Sequence, residues 1–177
     1  MPLPPIVTRL EHIATQAQRL RDDYDAFRYY IDLMWEREGR TDAELDALVD
    51  EIAAGVVSYI DCTACANCCR SIPVALVPDD IPALAAGTGL SPADLTAQLV
   101  DQPVAHQHGE WGIFHHSPCT FLDGTVCSLY AHRPASCRAY PAFTPDFRYL
   151  AAPIMAGAGL CPIIFNVIER LKVRLGW

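Results

Sequence analysis

The sequence predicts a mainly α fold with irregular loops and minor β: an N-terminal antiparallel helical hairpin over residues 1–61, then a cysteine-cluster domain over residues 62–177 that ends in a helix. Three observations predict it. Apolar residues recur at alternating spacings of three and four through the first sixty residues, the period of an amphipathic helix. From Asp101 to Pro145 the chain is dense in Pro, Gly, His and Cys, with few periodic runs. There are eight cysteines, and four of them fall within eight residues.

Taken in order, Thr8-x-x-Glu11 after Pro4 and Pro5 has the form of a capping box. Leu10, Ile13, Ala17, Leu20, Tyr24, Phe27, Ile31 and Met34 then continue one stripe, so a single long helix is expected, ended by Gly39. Thr41-x-x-Glu44 opens a second helix whose stripe is Leu45, Leu48, Ile52, Val56 and Tyr59. Two facing stripes joined by a short turn predict a hairpin whose seam is intramolecular core; the sharper alternative is a seam for a protein partner or for self-association. The six acids between Thr41 and Asp61, with no Lys or Arg among them, read as a solvated helix face.

Ile72 to Val77 is β-branched and carries Pro73, which confines it to an edge strand or an extended segment. Pro78-Asp79-Asp80 opens a short helix ending near Gly87 and Gly89, and Ser91-Pro92-Ala93-Asp94 caps another that runs to about Val100. The irregular stretch from Asp101 to Pro145 is long for a compact domain and needs an organiser, a role a metal can fill. Leu150 to Ile168 carries no charge, but Pro153, Gly157, Gly159, Pro162 and Asn166 make it a loop leading into a helix rather than a membrane span. That terminal helix runs from Pro162 to Leu175, with Arg170, Lys172 and Arg174 at its carboxyl end, where positive charge suits the dipole.

Composition narrows the function classes. A chain of 177 residues can bury a core without covalent staples. A formal charge of -8 leaves no basic footprint for nucleic acid. The first ten residues show no basic region followed by an apolar one, so a cytoplasmic location is expected, where clustered cysteines serve as metal ligands or redox groups rather than cross-links.

Cys62-x-x-Cys65-x-x-Cys68-Cys69 is the strongest signal. Four thiols so close in sequence would be severely strained as mutual disulfides, whereas two-residue spacing lets a tight turn aim several sulfurs at one point. Cys119, Cys127, Cys137 and Cys161 complete the candidate ligand set. Arg70 and Arg138 directly follow cysteines and Arg133 precedes Cys137 by four residues; the three are candidates to offset the charge of gathered thiolates around a bound cofactor. His106, His108, His115, His116 and His132 are donors in reserve, read first as polar loop residues supporting the site. No Gly-rich phosphate loop, Gly-x-Ser-x-Gly elbow or His-Glu-x-x-His is present.

Downstream of the cluster come Cys119-Thr120-Phe121-Leu122, Cys127-Ser128-Leu129-Tyr130, Arg133-Pro134-x-x-Cys137-Arg138-x-Tyr140-Pro141 and Cys161-Pro162. This ordered set resembles the YkgJ-type CxxCxxCC cysteine cluster family from about residue 62 to 162. The resemblance implies chelation of zinc or iron. It also implies a distant relation to flagellin lysine N-methylases, which look like iron-sulfur enzymes using S-adenosylmethionine. Cys62, Cys65 and Cys68 with a remote Cys161-Pro162 echo a ferredoxin run and favour an iron-sulfur cluster; soft thiolates suit zinc equally. Two function classes result. One is a metal-binding protein, structural or electron-carrying, with a protein partner; the other is a metal-dependent, methylase-like enzyme acting on a protein or small molecule.

Overall fold

The computed structural model describes residues 2–177. In chain order it contains α1 (Leu10–Arg19), α2 (Arg21–Glu38), α3 (Asp42–Val57), α4 (Cys62–Cys65), α5 (Asn67–Ser71), β1 (Ala75–Leu76), α6 (Ile81–Thr88), α7 (Pro92–Leu99), β2 (Val100–Asp101), α8 (Gln102–Gln107), β3 (Gly112–Phe114), β4 (Leu122–Asp123), β5 (Val126–Cys127), α9 (Ala135–Ala139), α10 (Phe147–Ala156) and α11 (Pro162–Leu175). The fold is mainly α with minor antiparallel β, as the sequence predicts. It divides into two compact units, one formed by the chain up to Asp61 together with Pro141–Trp177, the other by Cys62–Tyr140.

In the first unit the expected long helix is two helices that meet at Leu20 (φ −93°, ψ 7°). Each half answers to a different neighbour: α1 packs on the turn at Gly157–Gly159 and on α11, whereas α2 packs on α10. α1 comes close at Gly159, where an added Cβ would stand 3.4 Å from the Ala17 Cβ, in van der Waals contact. The capping box expected from Thr8 does not form, because the helix starts one residue later with Arg9 as its N-cap and no side-chain cap. The segment before it is held elsewhere: the buried Asn166 side chain accepts from the Val7 N–H at 2.8 Å and donates to the Val7 carbonyl at 2.7 Å. The box of Thr41 and Glu44 does form. Gly39 ends α2 in the left-handed region (φ 63°), and buried Trp35 closes the corner by donating from Nε1 to the Thr41 carbonyl at 2.9 Å.

Residues 147–156, read from the sequence as outside any helix or as part of a loop, form α10 despite Pro153. Proline removes one main-chain donor, but the helix buries Phe147, Ala151, Ile154 and Met155 and is anchored at its start. Asp46 on α3 supplies the anchor, its two carboxylate oxygens accepting from the N–H groups of Asp146 and Phe147, each at 2.9 Å. Arg148 adds ion pairs to Asp32 at 3.0 Å, Glu36 at 2.9 Å and Asp42 at 3.6 Å. Asp50 accepts from Thr144 Oγ1 at 2.8 Å and Glu51 pairs with Arg174 at 2.8 Å. The acidic face of α3, expected to be merely solvated, therefore fastens the carboxy-terminal helices. Asp46→Ala, which leaves two helix-start donors without their acceptor, is expected to cost about 1–2 kcal/mol in chemical denaturation. α11 runs over the predicted residues, burying Ile163, Ile164, Phe165, Val167, Ile168 and Leu171.

The second unit is built around Leu76, Leu84, Leu95, Val100 and Phe114, with Cys119, Phe121 and Cys127 packed against them. β1, β3 and β2 form a small antiparallel sheet in that order, which makes β1 an edge strand as Pro73 requires. Gly112 on the central strand is dictated by closeness, since a Cβ there would lie 2.5 Å from Val100 Cγ1. β3 and α8 lie inside the stretch expected to be irregular.

Candidate metal centre

Four cysteines from four separate segments share one neighbourhood in the second unit. Cys69 lies in α5, and its carbonyl accepts the Cys119 N–H at 2.8 Å, fixing the two backbones side by side. The chain turns at once, with the Leu122 N–H donating to the Cys119 carbonyl at 3.0 Å, and enters the β4–β5 hairpin. Register pairs Leu122 with Cys127, so the hairpin returns Cys127 toward Cys119. Cys137 is the middle residue of five-residue α9, which packs on β1. Ser136 Oγ donates to the Ala75 carbonyl at 2.6 Å, and the Ala135 N–H donates to the buried Asp80 carboxylate at 2.8 Å.

Electrostatics registers this crowding. Burial pushes the Cys119 thiol above its ordinary range, and the neighbouring Cys127 and Cys69 add to the effect. Burial likewise pushes Cys137 up, to about 11, reinforced by Cys119, Cys69 and Cys127. Cys119 and Cys137 thus resist becoming anions beside their neighbours. A divalent cation removes that conflict, because a coordinating thiol gives up its proton to the metal's field. The donor set, four soft sulfurs, fits zinc or iron.

The remaining cysteines of this unit lie alongside. α4 carries Cys62 and Cys65 and packs on β5. Ala66 follows in the left-handed region (φ 49°), a conformation that costs a non-glycine residue about 1 kcal/mol, and it breaks α4 from α5 within the cysteine motif. Cys68 Sγ stands 3.9 Å from Cys69 Sγ. Cys161 lies in the first unit, buried at the N-cap of α11. Among the described residues no three His, Cys, Asp or Glu side chains already stand as a finished metal cradle. The backbone brings the four thiols into one neighbourhood without arranging them as a finished ligand set.

The three arginines direct donors to carbonyls. Arg70 bridges the Cys65 carbonyl at 2.8 Å and the Gly124 carbonyl at 2.9 Å, stapling α4 to the hairpin tip. Arg133 donates from Nε to the Tyr130 carbonyl at 3.0 Å and stacks on the Tyr130 ring at 3.6 Å. Arg138 donates to the Arg133 carbonyl. His132 is a packing residue: its ring lies against α6, where a Cβ on Gly87 would meet it at 2.8 Å. His115 Nδ1 is 3.5 Å from Asp101 Oδ2. Asp80 was legible only as a helix opener; its bond to Ala135 spans 55 residues, beyond any local motif.

A family model described as "Putative zinc- or iron-chelating domain" matches residues 61–155. That range takes in every cysteine from Cys62 to Cys137 and stops short of Cys161. No curated protein and no solved structure matches the chain.

Proposed function

This chain belongs to the CxxCxxCC family, and from that premise we propose that it is a metal-binding protein whose Cys69, Cys119, Cys127 and Cys137 thiolates hold zinc or an iron-sulfur cluster. The observation that carries the proposal is the crowding of these four thiols, drawn from four segments: Cys69 and Cys127 raise the cost of ionising Cys119, and Cys69, Cys119 and Cys127 raise that of Cys137. Cys62, Cys65, Cys68 and Cys161 are further candidate ligands, and Arg70, Arg133 and Arg138 hold the loops that carry the site. No helix among the described residues is long and apolar enough to cross a membrane. A cytoplasmic setting, which keeps thiols reduced, accords with the use of so many cysteines as ligands. The metal's role is structural or electron-carrying, and the second of these requires a protein partner to exchange the electron.

Anaerobic purification followed by visible absorption, metal analysis and sulfide analysis tests the proposal. Brown protein with iron and acid-labile sulfide identifies a cluster; colourless protein with stoichiometric zinc identifies zinc; protein with neither refutes the reading. Counting non-protein ligands at the metal then separates a closed structural site from an enzyme, which needs an open position.

A pH dependence follows. Thiols held above their ordinary range carry protons at neutral pH, so the metal must displace them. Acid therefore releases the metal and base favours it, with apparent affinity rising about tenfold per pH unit for each proton displaced. Competition with a chromophoric chelator between about pH 6 and 8 measures the slope.

A further inference from the structure

We propose that Asp80 is the positioning residue for Cys137; the inference rests on the thiolate quartet proposed above. Asp80 is 5% exposed, and a carboxylate so buried is tolerated where its oxygens are hydrogen-bonded. Oδ2 accepts from the Val77 N–H at 3.0 Å, which closes the local turn. Oδ1 makes the distant bond to Ala135, the first residue of α9, at 2.8 Å.

α9 needs that bond. It has five residues, too few to be stable alone, and its N-cap is Pro134, which offers no side-chain acceptor. Asp80 thus supplies the missing cap from another segment, at the helix end where negative charge is favoured. The Ser136–Ala75 bond at 2.6 Å is a second pin on the same turn. Cys137 directly follows the two pinned residues in α9 and shares a neighbourhood with the other three thiols. With α9 fixed in this way, an ion meets a Cys137 backbone that is already in place. Groups that orient a metal ligand from behind are typically worth about 10–100-fold in affinity.

The test uses the full chain loaded anaerobically with Co²⁺, reading the thiolate-to-cobalt charge-transfer intensity per bound cobalt and the dissociation constant. For folded Asp80→Ala the expected result is loss of about a quarter of the intensity, one thiolate of four, with binding about 10–100-fold weaker. Asp80→Asn keeps one oxygen for Ala135 and is expected to recover part of both. A residue that merely stabilised the unit would lower the melting temperature and leave the intensity per cobalt unchanged, and that outcome in folded Asp80→Ala overturns the proposal. If Asp80→Ala does not fold, Asp80→Asn and Ser136→Ala carry the test: reduced intensity and affinity support it, and wild-type behaviour in both overturns it. Absence of charge-transfer bands in the unmodified protein would instead sink the thiolate quartet itself.

Discussion

Cys137→Ser is expected to lose most of its metal and to unfold more readily in the same sample. The site draws on four separated segments, so binding energy there is also folding energy. Structural sites of this kind contribute about 10–16 kcal/mol, and an equal share per thiolate puts the loss at about 2.5–4 kcal/mol. Serine is close to cysteine in size but is a poor ligand for a soft metal, so local packing changes little while coordination fails. Cys65→Ser is expected to show the same coupled loss if the amino-terminal thiols ligate as well. Metal-to-protein ratio and chemical denaturation, measured together, check both variants. Full metal loading with unchanged stability in Cys137→Ser would remove that residue from the site.

The second large effect is expected in the first unit. Phe147 is fully buried at the first turn of α10, where it anchors a helix interrupted by Pro153. Truncation to alanine removes its buried ring and leaves a cavity, at a cost of about 3–5 kcal/mol. That is a large share of a typical domain stability of about 5–15 kcal/mol. Thermal or chemical denaturation of Phe147→Ala is expected to show a correspondingly earlier transition. Tyr149, two residues on and 70% exposed, supplies the control, and Tyr149→Ala is expected to shift stability by less than about 0.5 kcal/mol. Equal losses in the two variants would contradict the burial assigned to this helix.

What could be read from the sequence follows the range of the interactions involved. The Thr41–Glu44 box, the Ser91 cap, the Pro78 turn, the Gly39 stop and the limits of α11 are set by residues a few positions apart, and all were legible. The break at Leu20 was not, because no Gly or Pro marks it; the two halves simply pack on different neighbours. α10 was hidden by Pro153, whose cost is offset by Asp46, a residue a hundred positions away. Strands of two or three residues leave no alternating pattern long enough to detect, so the sheet was reduced to one predicted edge. The cysteines announced a family and a chemistry. Which of them gather could not be seen, because the quartet depends on a hairpin register, a contact between the Cys69 and Cys119 backbones, and a cap supplied by Asp80.

X-ray absorption at the edge of the metal retained after anaerobic purification tests the central claim most directly. Sulfur neighbours are expected at about 2.3 Å, their number reduced when Cys69, Cys119, Cys127 or Cys137 is replaced by serine. A shell made of nitrogen and oxygen alone, or a sulfur shell unchanged by all four replacements, would contradict it.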